Sequence, residues 1–387
     1  MKAVKVSKLY TGRYGEVLED VYIAWRDREI VYVGKEKPGD AEIIEIEGGV
    51  ATPAFIDAHC HIGMVRSGEP MAEEESNDVM DSVLPLADAI HSVYMDDKAF
   101  RESIEWGVLY SCVLPGSGNI VGGRAAVIRN YAHDIEDAFI KSAGIKAALG
   151  YNPRSVKEWK GTRPSTRMGA LSILRKWLIK AMDAAKLIEK GKKDPEEFDP
   201  EVRALIPVVK GEELLRVHVH KQDDIAALLI LKREMGLRIT IEHACDVHSR
   251  ETVEKIVKEG VPVVYGPMDS FPYKTELKHE SWRNARLFVE LGMVEKGLMG
   301  LMSDHPVVLQ RNLYLQLRFF TRFGLDLSKA ITLITRNNAR ILGIDSFLGT
   351  VERSKWASFV VWSGDPLRMD SYPKLVVGEG RVLHEED

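Results

Sequence analysis

"FIDAHCHIG", Phe55 to Gly63, places two histidines one residue apart directly after an apolar run. On a β-strand, residues i and i+2 share a face and lie roughly 6.6 Å apart along the backbone, so His59 and His61 converge on one point. Neutral imidazole is a common ligand of zinc, iron and similar divalent ions, which makes a metal the natural occupant of that point. With 11 histidines in 387 residues, chance alone supplies a His-x-His spacing about 0.3 times, so the pair needs support from the rest of the chain.

That support lies in how other apolar runs end. "LLRVHVH" closes on His218 and His220, "LRITIEH" on His243, and "LMGLMSD" on Asp304. Between these runs stand helical stretches such as "DDIAALLILKREMG" and "SRETVEKIVKEG". Repeated strand–helix units with short turns argue for parallel strands and right-handed crossovers. The length of the middle segment suits an α/β fold of the (β/α)8, TIM-like kind over residues 50–346, where the C-terminal strand ends face the active site. The two chain ends, 1–49 and 347–387, read as short strands that cannot bury a core alone, so they are expected to pair into one small β-sandwich domain. A doubly wound sheet would need a phosphate fingerprint, and "GSGNIVGG" lacks the G-x-G-x-x-G spacing. That stretch reads as flexible backbone over a pocket.

Polar residues that end four separate strands are hard to ascribe to chance, because burying them unpaired costs several kcal/mol. A His-rich set with one carboxylate matches an open catalytic zinc-type site rather than a closed structural one.

The net charge of −5, with acidic and basic residues interspersed, leaves no basic footprint for nucleic acid and points to a small-molecule substrate. The N-terminus has no apolar signal core, and no apolar stretch approaches a membrane span, so a cytoplasmic protein without membrane contact is expected. Three cysteines, Cys60, Cys112 and Cys245, do not make a disulfide framework. Charged residues at 29% with glutamine only at 222, 310 and 316 suit the ion-pair-rich surface of a thermophile.

The ordered set "ATPAFIDAHCHIG", "RVHVH", "IEH" and "SDHP" resembles the amidohydrolase superfamily of metal-dependent hydrolases. "PGSGNIVGG", "ALGYNP" and "SDHPV" are similar to the branch related to imidazolonepropionase, and the segment from "ITLITRNNARILGI" to "VVWSGDPL" to that superfamily's closing region. Ala54 and Asn338 stand where the pattern usually has Gly and Pro, and "SKWASFVVW" departs from its usual Gly-Lys-x-Ala-Asp.

The resemblance implies a hydrolase in which His59, His61, His220 and Asp304 hold a divalent ion, zinc first and iron second, with Asp304 also taking the proton of the bound water. His243 then binds the metal or holds the attacking water, and His218 lines the barrel one layer deeper. His248, Arg124 and Glu276 are candidates for substrate contact, with a solvated loop or a surface ion pair as the competing reading of each. Relatives with two ions use a carboxylated lysine or a glutamate at strand four. Here that strand ends "ALGYNP", with Lys146 expected too deep, so one ion is expected. The expected reaction is hydrolysis of a non-peptide C–N bond in a cyclic amide, ureide or heterocyclic amine. The alternatives are a dipeptidase or N-acyl amino acid hydrolase with a binuclear site, or a non-catalytic metal-binding barrel. A homodimer follows family habit.

Overall fold

In the computed structural model, which describes residues 1–155, 163–268 and 270–386, the strands fall into two sheets. The chain opens with β1 (Lys2–Tyr10), β2 (Val17–Arg26), β3 (Glu29–Gly34), β4 (Glu42–Glu45) and β5 (Val50–Pro53). The second sheet holds β6 (Phe55–Cys60), β7 (Val108–Val113), β8 (Val121–Arg129), β9 (Phe139–Ala148), β10 (Leu215–Val219), β11 (Ile239–His243), β12 (Val263–Tyr265) and β13 (Met299–Leu301). The chain then returns to the first sheet through β14 (Phe359–Trp362), β15 (Pro373–Gly378) and β16 (Arg381–Glu385).

The first sheet runs β16-β15-β14-β5-β1-β2-β3, with β4 also on β1. Strand β1 gives one edge to β2 and divides the other between β4, at Lys2 to Lys5, and β5, at Lys8 and Leu9. A sandwich of two sheets was expected; hydrogen bonding joins these strands into one sheet that folds over itself. Trp25 on β2 and Phe359 on β14 are three strands apart, roughly 14 Å in a flat sheet. Their ring centroids nevertheless lie 5.3 Å apart, edge to face. Strand β5 belongs to this sheet, so the passage into the barrel comes between Pro53 and Phe55 rather than at residue 50.

The second sheet runs β6 to β13 in chain order as a nearly closed barrel. It is not a uniform (β/α)8 array, because β8 is antiparallel to both β7 and β9. The reason is local. The link Leu114–Ile120 is far shorter than the roughly twelve or more residues a parallel crossover needs, so the chain must turn back. "IVGG", expected in a flexible loop, therefore enters a strand. Gly123 is required there, since it has φ +122° and a Cβ would collide with the Ala87 carbonyl.

Elsewhere helices cross between parallel strands as the apolar periodicity predicts. The helix Gln222–Met235 buries Ile225, Leu228, Leu229 and Leu231, and Gly236 ends it at φ +66°. Each such buried aliphatic side chain stabilises the fold by about 1.5–3 kcal/mol. No helix among the described residues is long and apolar enough to cross a membrane.

The seam between β13 and β6 decides where the site forms. The buried amide of Asn338 donates to the carbonyls of Ile56 (2.7 Å) and Leu301 (2.8 Å) and accepts from the Leu301 N–H (3.1 Å). Just above it, the Asp304 N–H donates to the His59 carbonyl (3.1 Å) and the His61 N–H to the His305 carbonyl (3.0 Å). These bonds bring the end of the first barrel strand against the residues that follow the last.

Candidate metal centre

Alternation along β6 turns Asp57 and His59 into the barrel and Ile56 and Ala58 outward against its core. Asp304 completes the first group: its Oδ1 lies 3.4 Å from His59 Nε2 and 3.2 Å from His61 Nε2. Both rings are oriented from behind. His59 Nδ1 is 2.8 Å from Glu242 Oε2, and His61 Nδ1 is 2.8 Å from the Leu114 carbonyl. With Nδ1–H donated, each ring turns the Nε2 lone pair toward Asp304, which is how protein ligands are prepared for a metal. Ligands bonded to tetrahedral zinc at about 2.0–2.1 Å stand roughly 3.4 Å from one another. The two separations from Asp304 match that edge, and the donor set of two imidazoles and a carboxylate fits a divalent ion.

Glu242 is buried and anchors this arrangement. Burial pushes its carboxyl up, but the Arg216 guanidinium (3.1 Å) and the His59 bond outweigh it and hold the group down to about 2. Thr240 Oγ1 donates to the same carboxylate at 2.5 Å, and Arg216 also donates to the Ala58 carbonyl at 2.8 Å.

A second group lies alongside. His218, His220 and His243 are buried, and their candidate ligand nitrogens lie within 4.8 Å of one another. His243 Nδ1 is 2.8 Å from the Gly266 carbonyl, and its ring packs 4.8 Å from that of His59, which joins the groups. Thr240 and Glu242 face the barrel interior, so strict alternation would send His243 outward. Its φ of +78° turns it into the mouth instead. Ala244 (φ +59°) and Asp304 (φ +50°) share this uncommon left-handed backbone, which concentrates at functional sites. Burial lowers the pKa of all three histidines well below the usual value, so the neutral rings keep their lone pairs. His218 Nδ1 and both ring nitrogens of His220 are buried without a hydrogen-bond partner among the described residues. Orphaned nitrogens of this kind fit a missing cation.

Lys146 corrects the expectation that it lies too deep. It is opposite Arg216 in the ladder, two residues below the level of His218. Its long side chain climbs that layer, bringing Nζ 3.5 Å from His59 Nε2 and 2.9 Å from the Pro115 carbonyl. Burial lowers the ammonium pKa to about 8.

The remaining expected contacts divide. Glu276 is buried 3.4 Å from His218 Nε2 and belongs to the centre. Arg124 does not. Its guanidinium pairs at 3.0 Å with Glu213, before the first residue of β10, whereas His218 and His220 lie at that strand's other end. His248 is exposed on the rim, its ring 4.3 Å from that of His279, beside the buried carboxylate of Asp246. Sequence reasoning passed over Glu242, Arg216 and Lys274. Only the oddity of charged residues inside apolar strand runs, "LRV" and "TIE", marked the first two.

A model of the amidohydrolase family matches residues 215–382. Amidohydrolase tasK of Hapsidospora irregularis is 26% identical over 91% of this chain, which spans only 38% of that protein's length. Imidazolonepropionase of Anaeromyxobacter sp. (strain K) is 24% identical over 95% of this chain and 91% of its own. Among solved structures, an amidohydrolase from Thermotoga maritima MSB8 superposes with TM-score 0.92 and 29% identity over the whole of both chains. A prolidase complexed with N-methylphosphonate-L-proline shares the fold at TM-score 0.61 and 16% identity, over both chains in full. Residues 215–382 thus match the amidohydrolase family, and the chain as a whole is similar in sequence to imidazolonepropionase and in fold to an amidohydrolase.

Proposed function

We propose that the protein is a metal-dependent hydrolase that cleaves a non-peptide C–N bond in a small molecule, such as a cyclic amide, ureide or heterocyclic amine. The observation that carries this reading is the first group: two rings tied at Nδ1, with Nε2 atoms 3.2 and 3.4 Å from Asp304, in the mouth of the barrel. His59, His61 and Asp304 would hold a divalent ion, zinc or iron, which would supply Lewis-acid activation of water and of the substrate carbonyl or amidine carbon. Asp304 accepts the water's proton and passes it to the leaving nitrogen. His243, its Nδ1–H donated to the Gly266 carbonyl, presents its Nε2 lone pair to the centre, as a ligand or as the acceptor of a hydrogen bond from the attacking water. His248 on the rim contacts the substrate as it enters.

Two observations favour a second ion over the single one expected from sequence. Lys146 Nζ lies 3.5 Å from His59 Nε2, where its amine, on taking up carbon dioxide and losing a proton, would supply a carbamate as a further anionic ligand. The second histidine group also supplies its own unpartnered nitrogens. These observations favour the dipeptidase or N-acyl amino acid hydrolase reading as the alternative.

Metal content of the metal-replete protein, with hydrolysis of cyclic amides, deaminase substrates and N-acyl amino acids, tests the assignment. Activity that needs the metal and falls about 1,000-fold or more in Asp304→Asn is expected. A fully active metal-free protein would overturn it.

A further inference from the structure

The loop after β12 carries two charged residues that are almost completely buried, Lys274 and Glu276, at 4% and 2% side-chain exposure. Charges so deeply buried are rare unless paired or bound to a metal. Glu276 Oε2 accepts from the Tyr151 N–H at 2.8 Å, which fixes the carboxylate against the end of β9. Its Oε1 lies 3.4 Å from His218 Nε2 and 3.8 Å from His220 Nε2. In the first group Asp304 Oδ1 stands 3.4 and 3.2 Å from two Nε2 atoms, so one carboxylate oxygen beside two imidazole nitrogens recurs here, with the His220 contact longer. The His218 contact equals the roughly 3.4 Å edge of a tetrahedral zinc or iron site, and His220 would draw in to complete it. His220 Nε2 also has no hydrogen-bond partner among the described residues.

We propose that Glu276 is a ligand of a second metal ion, supplied from the loop to His218 and His220 much as Asp304 is supplied to His59 and His61. This rests on the two-ion reading above. Lys274 Nζ lies 2.8 Å from Glu276 Oε1 and 3.1 Å from Asn152 Oδ1. A carboxylate oxygen has two lone pairs, so Oε1 accepts from Lys274 with one and meets His218 Nε2 at 3.4 Å with the other, a contact that an ion would replace with the imidazole proton moved to Nδ1. The ammonium nonetheless places a like charge beside the cation. It weakens the second site relative to the first and makes occupancy of the second depend on how the loop is held.

The two neighbours therefore have opposite effects on metal binding, which a purely structural ion pair would not produce. Cobalt(II) titration of the metal-depleted full-length protein, followed by visible absorption, reads both sites without a substrate. Wild type takes up two equivalents. Glu276→Gln weakens the second about tenfold or more and leaves the first unchanged, whereas Lys274→Met tightens the second severalfold. The double variant shows whether a poorly held loop explains the single change. If wild type binds one ion, the two-ion reading falls and this proposal with it. If wild type binds two and Glu276→Gln titrates identically, or Lys274→Met weakens the second site as much as Glu276→Gln does, Glu276 is not a ligand and the two-ion reading stands.

Discussion

The two histidine groups at the barrel mouth are built differently. In the first, the imidazole Nδ1 atoms of His59 and His61 are tied to Glu242 and Leu114, and the barrel seam itself delivers Asp304. In the second, His218 and His220 have ring nitrogens without hydrogen-bond partners among the described residues, and the nearby carboxylate arrives on a loop. The first group is organised by the fold before any ion binds. The second has neutral, desolvated rings whose order depends on what occupies them. A protein of this kind should hold one ion tightly and the other conditionally.

The strongest test of that contrast is at Glu242. Replacing it with Gln leaves the Arg216 charge buried in the barrel without its anion and gives the His59 Nδ1–H a neutral, weaker acceptor. We expect a loss of about 3–5 kcal/mol of stability from the unpaired charge, read by denaturant unfolding. Affinity for the first ion should fall about 10–100-fold, read by metal titration, with the second less affected. Equal losses at both sites would remove the distinction drawn here.

A smaller effect is expected at the seam. Asn338→Ala leaves the carbonyls of Ile56 and Leu301 and the Leu301 N–H without their side-chain partner, at a cost of about 1–3 kcal/mol. Because this loosens the contact that delivers Asp304, the first ion should dissociate faster in the folded variant. Unchanged dissociation would mean that the backbone bonds above Asn338 suffice. Gly300→Ala attacks the same seam from the other side, since a Cβ there would collide with the Asn338 amide oxygen. The smallest effect is expected for Arg124→Ala. It removes a pair with Glu213 that is a third exposed, so stability should change by less than about 1 kcal/mol, with metal content and activity unaltered. A large loss of activity would restore Arg124 to the site.

The same contrast marks what could be read from the sequence. His59, His61, His218, His220, His243 and Asp304 were legible because each ends an apolar run, where barrel strands present functional groups. Lys146 was not, because it lies a layer below the strand end and reaches the centre only through the length of its side chain. Glu276 was legible as a charged loop residue but not as a buried one, since burial depends on where a long loop returns. Strand direction was also hidden. "VGGRAAVIR" reads as a strand, and only the shortness of the preceding link shows that it must run backwards. Asn338, which stands where the resembled pattern usually has Pro, stitches the first barrel strand to the last.

Anomalous diffraction at the zinc and iron absorption edges, from crystals of the metal-replete protein, tests the central claim most directly. The strongest peak is expected within bonding distance of His59 Nε2, His61 Nε2 and Asp304, with a weaker one beside His218 and His220. A peak confined to the rim cluster of Asp246, His248 and His279, with none between His59 and Asp304, would contradict it.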